Sequence, residues 1–308
     1  MKTLATAPRY HDAFWNLMKH RPFDATDLNG GRRGHNGSQF LPMENVDTFR
    51  KYQAEQNIFR KIARNISTDS TACRVKAVLP SGAAAIVEEN DAIPDYPENT
   101  AVWPVQAYKI GKIAKMSDEL LADAGFDIAD ALAADFGIEF GKVEENVCIN
   151  GSGTDEPFGL PHDVQGAEIG ATATAGITLD NVNALYFSLA AECCRNAVWL
   201  MSDETALRLR SLKDSGGAYL WNAANDTLLG KPVYTSPYMP SATAGNKPIL
   251  FGNFDYYWFI ERGGVSLSPL RELYAEHGIT GFIGMEFIDG KLIKRDAVKA
   301  LLLEDTAE

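Results

Sequence analysis

One long amphipathic helix limits the folds open to this chain more than any other feature. Apolar side chains recur every three or four residues along residues 127–149, the spacing that places them on one face of an α-helix. They are Ile128, Leu132, Phe136, Phe140, Val143 and Val147. At about 1.5 Å per residue the helix is roughly 35 Å long. Gly137 and Gly141, one turn apart, allow another backbone to approach closely. Periodicity alone fits a long surface helix of any α/β or α+β protein.

Capping and turn residues elsewhere predict an α+β fold in which helices cover one side of the sheets. Ser117, followed by two acids, predicts a helix start, and Gly125 predicts an interruption before the long helix. Further helices are predicted over residues 45–64, over residues 180–196 with Asp180 as N-cap, and from Ser202 to the Gly216–Gly217 pair. Strands are predicted at residues 198–201, 232–236, 248–254, 257–262, 265–269, 280–288 and 297–303. Asp289-Gly290 is a hairpin dipeptide and predicts a turn into residues 291–294.

Length and charge describe an acidic chain with a basic start. The 308 residues carry a net charge of −12, and their number predicts two compact units. Residues 1–65 hold eleven Lys/Arg and six Asp/Glu, so they sum to +5 and the remainder to −17. An acidic body of this kind does not bind nucleic acid tightly through its overall field. The basic arm has aromatic residues over 10–18 that can be buried only on another surface. Either the arm clamps onto the next copy of the chain, or its positive charge is an ordinary asymmetry of the solvated surface. No apolar run is long enough to cross a bilayer.

Residue types that support catalysis, cofactors or metals do not occur at useful spacings. The four cysteines form no CxxC pair, and the histidines are scattered. The glycine-rich residues 150–159 follow a helix, and Pro157 comes after their first glycines, which is the reverse of the order in a phosphate-binding loop. They predict a sharp connection between two domains. A hydrolase using Asp203 and Glu204 is an alternative, but both acids are explained by the dipole of the helix they start. The sequence therefore predicts no enzyme and no catalytic, cofactor-binding or metal site.

An acidic segment follows a predicted hairpin and is the candidate contact with a neighbouring copy. Residues 72–88 alternate around Pro80-Ser81-Gly82 and predict the hairpin. The segment after it, residues 88–98, contains five acids and no base: Glu88, Glu89, Asp91, Asp95 and Glu98. We expect this acidic strap to dock on basic residues of another copy, with Arg60, Lys61 and Arg64 as candidates. Exposed ion pairs contribute only ~0–1 kcal/mol each, but repeated contacts sum.

Several short segments resemble the tailed-phage major capsid proteins of the Hong Kong ninety-seven-like family. Residues 74–104 resemble its extended E-loop, residues 112–121 the strand leading into its spine helix, and residues 150–159 the glycine-rich link after that helix. The remaining similar segments are the N-terminal arm before residues 40–42, residues 212–221, residues 230–233 and residues 251–254. Each segment is short, and the resemblance rests on their number and order over some 200 residues.

The resemblance implies the Hong Kong ninety-seven-like fold with four parts. These are an N-terminal arm and helix at 1–65, an E-loop at 66–104, a P-domain with the spine helix at 105–159 and 248–290, and an A-domain at 160–247 and 291–308. It implies a shell protein that forms pentamers and hexamers around double-stranded DNA without binding it tightly, with a separate scaffold protein and a portal protein as partners. Such a protein is part of the virion and is assembled in the host cytoplasm, away from membranes. The alternative is the shell of an encapsulin-like nanocompartment.

Overall fold

The computed structural model describes residues 8–19, 21–28, 39–40, 43–68, 74–79, 86–87, 99–123, 127–174, 176–213, 216–217 and 219–304. Within them the chain has an α+β fold, as predicted. The helices are α1 (Pro8–Met18), α2 (Ala25–Leu28), α3 (Met43–Gln56), α4 (Phe59–Ile62), α5 (Asp118–Ala122), α6 (Ile128–Asn150), α7 (Leu179–Phe187), α8 (Ala191–Cys194) and α9 (Asp203–Arg210). The strands are β1 (Gln39–Phe40), β2 (Arg64–Thr68), β3 (Arg74–Leu79), β4 (Asn99–Pro104), β5 (Tyr108–Ser117), β6 (Glu168–Ala173), β7 (Val198–Met201), β8 (Trp221–Asn222), β9 (Thr227–Leu228), β10 (Lys231–Thr235), β11 (Ile249–Gly252), β12 (Tyr257–Leu270), β13 (Ile279–Leu292) and β14 (Val298–Leu303).

A five-stranded sheet supports the long helix α6. Its strands run in the order β1-β12-β13-β5, and β2 pairs in parallel with β12. Gly284 of β13 leaves room for the Phe136 ring of α6, since a Cβ at position 284 would lie 2.8 Å from that ring. On α6, Gly137 and Gly141 bring the backbone of α3 equally close, because a Cβ at either position would lie within 3 Å of a carbonyl oxygen of α3. The predicted close approach at these glycines is confirmed.

A seven-stranded sheet forms the second unit, in the order β6-β14-β11-β7-β10-β9-β8. Its central strands β7 and β11 have apolar residues on both faces, as expected for strands covered on both sides. Trp199 and Phe251 pack beneath α7 and α9, whereas Leu200 and Leu250 join the core of the first unit. The predicted P-domain range 248–290 therefore includes one strand, β11, of this second sheet. The domain limits themselves stay a prediction.

Strands β3 and β4 form a separate antiparallel pair. Its register runs from Arg74 opposite Pro104 to Leu79 opposite Asn99. The hairpin is thus wider than the predicted residues 72–88, because the partner strand begins at Asn99. The predicted turn at Pro80-Ser81-Gly82 lies outside the described residues.

Helix starts were predicted better than helix ends. Ser117 and Ser202 cap α5 and α9 as expected, and α6 spans almost the predicted residues. The predicted helix 45–64 is divided into α3 and α4, and the predicted helix 180–196 into α7 and α8. Thr178, not Asp180, caps α7, because Thr178 and Asn181 form a reciprocal capping box. Helix α9 ends at Arg210, before the predicted glycine pair.

The strands of the last third are longer than predicted. Residues 257–262 and 265–269 belong to one strand, β12, whose pairing with β13 shifts around Gly263 and Gly264. Both glycines have a positive φ, which suits a β-bulge. The predicted turn at Asp289-Gly290 is wrong: these two residues lie inside β13, opposite Ile260 and Phe259. An Asp-Gly dipeptide forms a hairpin turn only where the segments before and after it pair with each other. Here both segments pair with β12 instead.

The N-terminal helix lies on its own chain. Tyr10, Phe14, Trp15 and Met18 of α1 are buried in the first core. The indole Nε1 of Trp15 donates to Asn45 at 2.9 Å, and a guanidinium nitrogen of Arg271 donates to the Leu17 carbonyl at 2.6 Å. The aromatic residues are therefore buried on a surface, as expected, and this surface belongs to the same copy.

Candidate assembly surfaces

The acidic strap, residues 88–98, lies outside the described residues, but the end of β4, the strand that follows it, is attached to the five-stranded sheet. The ammonium group of Lys291 donates to the Pro104 carbonyl at the end of β4. Two residues further along, the Gln106 backbone N–H donates to the Asp289 carboxylate at 2.8 Å. The base of the β3–β4 pair is thereby held at the edge of β13. Docking of Glu88, Glu89, Asp91, Asp95 and Glu98 on another copy stays a prediction.

Two of the three predicted basic contacts are exposed. Lys61 is exposed on α4, beside a cleft of about 400 Å³ that Lys142, Glu145 and Tyr238 also line. Arg64 is exposed at the start of β2, and its guanidinium carbon lies 5.3 Å from the centre of the Trp258 ring. Both side chains are accessible to another copy.

The third predicted contact, Arg60, is engaged inside its own chain. Its guanidinium donates to both carboxylate oxygens of Glu144, at 2.6 and 2.8 Å, and also to Glu261. Only 8% of the Arg60 side chain is exposed. Arg60 therefore joins α4 to α6 and β12.

Arg60 belongs to a buried ionic cluster, which we define as Arg50, Gln53, Asn57, Arg60, Glu144, Glu261 and Glu286. Gln53 donates to Glu144 at 3.0 Å and to Glu286 at 2.7 Å, and Asn57 donates to Glu144 at 3.0 Å. Arg50 donates to Glu261 and lies 3.5 Å from Glu286. Helices α3, α4 and α6 and strands β12 and β13 all contribute to the buried ionic cluster, so it fixes the α3–α4 segment against α6 and the sheet.

The buried ionic cluster has three carboxylates and two guanidinium groups, so one carboxylate lacks a full counter-charge. Burial raises the pKa of Glu286 to about 8, and the neighbouring Glu144 and Glu261 act in the same direction against Arg60 and Arg50. For Arg60, desolvation lowers the pKa, but contacts with the three carboxylates outweigh it and the net shift is upward. With Glu286 protonated at neutral pH, two positive charges face two negative charges.

A second buried carboxylate links the two units. Glu145 accepts hydrogen bonds from the Ile58 backbone N–H at 2.7 Å and from the Ser236 hydroxyl at 2.5 Å. Burial raises the pKa of Glu145, although these two hydrogen bonds oppose the shift. Ser236 follows β10 of the seven-stranded sheet, so Glu145 connects that sheet to α6 and to the start of α4.

The buried ionic cluster was not predicted from the sequence, because the apolar stripe of the long helix was continued from Phe140 to Val143 and Val147. The buried face of α6 continues from Phe140 to Glu144 and Cys148, whereas the predicted Val143 is 42% exposed. The sequence does indicate that Glu144 lies on the buried face, since the four-residue step from Ile128 through Phe140 leads directly to it. The partners Arg50, Glu261 and Glu286 had no such signal.

The carboxylates considered for catalysis have local roles. Asp203 and Glu204 lie in the first turn of α9, and Glu204 pairs with Arg208 one turn later at 2.6 Å. Across the described parts of the chain, no group of three or more His, Cys, Asp or Glu residues could hold a metal ion. The connection at 150–159 is a tight reversal in which the Gly159 N–H donates to the Gly151 carbonyl at 2.8 Å. In the same described residues, no helix combines the length and apolar character of a membrane span.

Comparison with known proteins identifies the kind of protein that has this architecture. The phage capsid family matches residues 37–302. The capsid of an empty GTA particle, determined with C5 symmetry, matches with a TM-score of 0.70 at 26% identity, over 81% of this chain and 90% of that one. The capsid of the native GTA particle matches with a TM-score of 0.65 at 25% identity, over 80% and 89%. No curated protein matched the chain.

Phage structures share the same fold at lower identity. Gordonia phage Cozz matches with a TM-score of 0.55 at 15% identity, over 82% of this chain and 87% of that chain. The mature capsid of bacteriophage PhiM1 matches with a TM-score of 0.52 at 11% identity, over 80% and 87%. The chain is a structural, non-enzymatic component of a virion capsid that self-associates into a shell, and it belongs to the phage capsid family.

Proposed function

We propose that this chain is the major capsid protein of a tailed double-stranded DNA phage of the Hong Kong ninety-seven-like family. The observation that carries the proposal is the phage capsid family match over residues 37–302, together with capsid structures that cover about four-fifths of the chain. The long helix α6 corresponds to the spine helix, and the β3–β4 pair to the E-loop. Copies form pentamers and hexamers, and these close into an icosahedral shell around the genome.

The partners of such a shell follow from its assembly. A separate scaffold protein guides closure, a portal protein occupies one vertex, and assembly takes place in the host cytoplasm. The DNA is enclosed without tight binding, because a chain of net charge −12 repels a polyanion. The acidic strap docks on basic residues of a neighbouring copy, and Lys61 and Arg64 are the predicted candidates with exposed side chains.

The direct test is the mass of the purified chain in solution. Light scattering on a sizing column, for the chain alone and with a candidate scaffold protein, should give five, six or hundreds of times 33.7 kDa. Electron microscopy of the large fraction should then show closed icosahedral shells. A monomer that persists even with the scaffold protein, or open sheets and filaments alone, would contradict the proposal.

Two other kinds of shell are alternatives. An encapsulin-like compartment is less supported, because the matching family and the solved structures reported above are capsids of phages and GTA particles. A particle of the GTA kind is a second candidate, favoured by identities of 26% and 25% against 15% and 11% for the two phage structures reported above. Sequencing the DNA from purified particles separates the phage from the GTA kind: one uniform genome that encodes this chain favours the phage.

A further inference from the structure

One buried carboxylate of α6 lies where the two units of the chain meet. Glu145 is 4% exposed and accepts from the Ile58 backbone N–H at the start of α4 and from the Ser236 hydroxyl at the end of β10. Further along α6, the exposed side chain of Asn150 donates to the Tyr238 carbonyl at 3.0 Å. We call this contact between α6, the start of α4 and the end of β10 the junction. Glu145 is the buried one of its two side-chain links to the second unit.

An open cleft lies beside the junction. Its volume is about 400 Å³, and residues of both units line it. Those of the first unit are Glu55, Gln56, Ile58, Lys61, Lys142 and Glu145, and those of the second unit are Thr235, Pro237 and Tyr238. The Glu145 side chain therefore borders on space into which it can turn away from Ser236.

Glu145 has bases near it but is not paired with one. The charged and titratable groups on the surrounding elements are Glu55 of α3, Arg60 and Lys61 of α4, Glu139, Lys142, Glu144 and Cys148 of α6, and Tyr238 after β10. Arg60 is bound to Glu144, and Lys142 lies 2.9 Å from Glu139 at the surface. Lys61 acts on Glu145 only at longer range. Within the described residues, the Glu145 carboxylate therefore has no ion-pair partner, although two lysines line the same cleft.

The junction suits a neutral carboxyl group better than a carboxylate. Burial raises the pKa of Glu145. A protonated Glu145 can donate to the Ser236 oxygen, which also accepts from the Tyr238 backbone N–H at 3.3 Å, while its other oxygen still accepts from Ile58. The carboxylate makes the same contacts, but its charge is buried without a paired base, which is costly. Ionisation of Glu145 therefore weakens the junction.

We propose that Glu145 is a pH-sensitive switch that holds the junction when it is neutral and releases it when it is ionised. In the neutral state Glu145 bridges Ile58 and Ser236, as in the structure. Once ionised, its side chain turns into the cleft to pair with Lys61 or Lys142, and water replaces it at the Ile58 N–H and the Ser236 hydroxyl. The start of α4 and the end of β10 then lose their common buried partner, so the junction loosens as the pH rises. The inference goes beyond the proposed function, because it concerns one copy by itself.

Amide hydrogen exchange of the unassembled subunit measures this opening. The exchange rates at pH 5 and pH 8 are each divided by the intrinsic rate at that pH, which leaves the opening equilibrium. In the wild type the protection of the Ile58 and Tyr238 amides should fall by roughly tenfold from pH 5 to pH 8, the change expected if the pKa of Glu145 differs by about one unit between the bridged and the released state. E145Q keeps an accepting oxygen but cannot ionise, so its protection should be the same at both pH values.

A variant at exposed positions tests the same inference without altering the buried contact. K61M/K142M removes both bases that receive the ionised carboxylate, so the fall in protection should shrink to less than about threefold. Lys51→Met, at an exposed position of α3 outside the cleft, is the matched control and should behave as the wild type. Equal protection at both pH values in the wild type, or an undiminished fall in E145Q or in K61M/K142M, would overturn the inference.

The buried ionic cluster also titrates, and its effect has to be separated from that of Glu145. In E286Q, which removes the titration of Glu286 and keeps Glu145, the fall in protection of the Ile58 and Tyr238 amides should persist. Its disappearance in E286Q would assign the pH response to the buried ionic cluster and would overturn the inference. Because every measurement is made on the unassembled subunit, none of these outcomes bears on whether the chain forms a shell.

Discussion

Replacing Glu286 with glutamine should change how the stability of this protein depends on pH. Glu286 is fully buried in the buried ionic cluster, where the Gln53 side chain donates to it at 2.7 Å. Its pKa is raised from 4.5 to about 8, with burial as the largest cause. The Glu286→Gln side chain keeps a carbonyl oxygen that can accept from Gln53 and removes the titration.

The free-energy cost of burying this carboxylate depends on pH. Below pH 4.5 the carboxyl is protonated in the folded and the unfolded chain, so the native state bears no cost. Between pH 4.5 and 8 the unfolded chain ionises while the native Glu286 stays neutral, and the free energy of unfolding falls by about 1.4 kcal/mol per pH unit. Above pH 8 both states are ionised and the cost is constant. Between pH 5 and pH 9 the contribution of Glu286 to this change amounts to about 4 kcal/mol at most, and E286Q loses this contribution while the other titrating groups are kept.

Urea unfolding of the unassembled subunit at pH 5, 7 and 9 measures this difference. The quantity to compare is the change in free energy between pH 5 and pH 9, because the packing cost of the substitution is the same at each pH and cancels. Glu119→Gln, at an exposed position of α5, is the matched control and should follow the wild type. Parallel curves for wild type and E286Q would refute the charge balance assigned to the buried ionic cluster.

Three further substitutions test the contacts around α6, each by the free energy of unfolding. Arg60→Met leaves buried carboxylates without a counter-charge and should cost about 3–5 kcal/mol, whereas Arg208→Met at an exposed helix pair should cost under about 1 kcal/mol; equal losses would contradict the buried role. Gly141→Ala should destabilise by roughly 1–2 kcal/mol although Ala favours helices, because its Cβ would lie 2.9 Å from a carbonyl oxygen of α3; a gain would show that α3 moves away freely. Asp127→Ala removes the N-cap of α6 and should lower the free energy of unfolding by about 1 kcal/mol, while Asp127→Asn should keep most of the stability that the cap contributes. Equal losses in the two variants would exclude capping.

Local chemistry explains which parts of the fold were predictable. The helix caps Ser117 and Ser202 act on backbone N–H groups within three residues, so their effect can be read without the fold. The apolar stripe from Ile128 to Phe140 follows from the period of the α-helix. The glycines at 137 and 141 indicated a close backbone approach, although not which element approaches.

Contacts between residues far apart in the sequence explain the predictions that were wrong. Asp289-Gly290 favours a turn locally, but β12 offers a partner along the whole of β13, and the gain from a continuous ladder exceeds a local preference. The split of the predicted helix 45–64 has a similar origin, because the side chain of Asn57 and the backbone of Ile58 bind the carboxylates of Glu144 and Glu145. Those contacts join residues 87 positions apart in the chain.

The sequence by itself determined the α+β class, the long helix, its caps, the acidic body and the acidic strap, because each depends on neighbouring residues or on a sum over the chain. The tertiary structure alone decided where charges meet. It buried Arg60 with Glu144, Glu261 and Glu286, and it placed Lys109 and Arg262 on either side of Phe287. The spacing of residues in the sequence does not predict these contacts, since they depend on which strands pair and on which face a side chain lies.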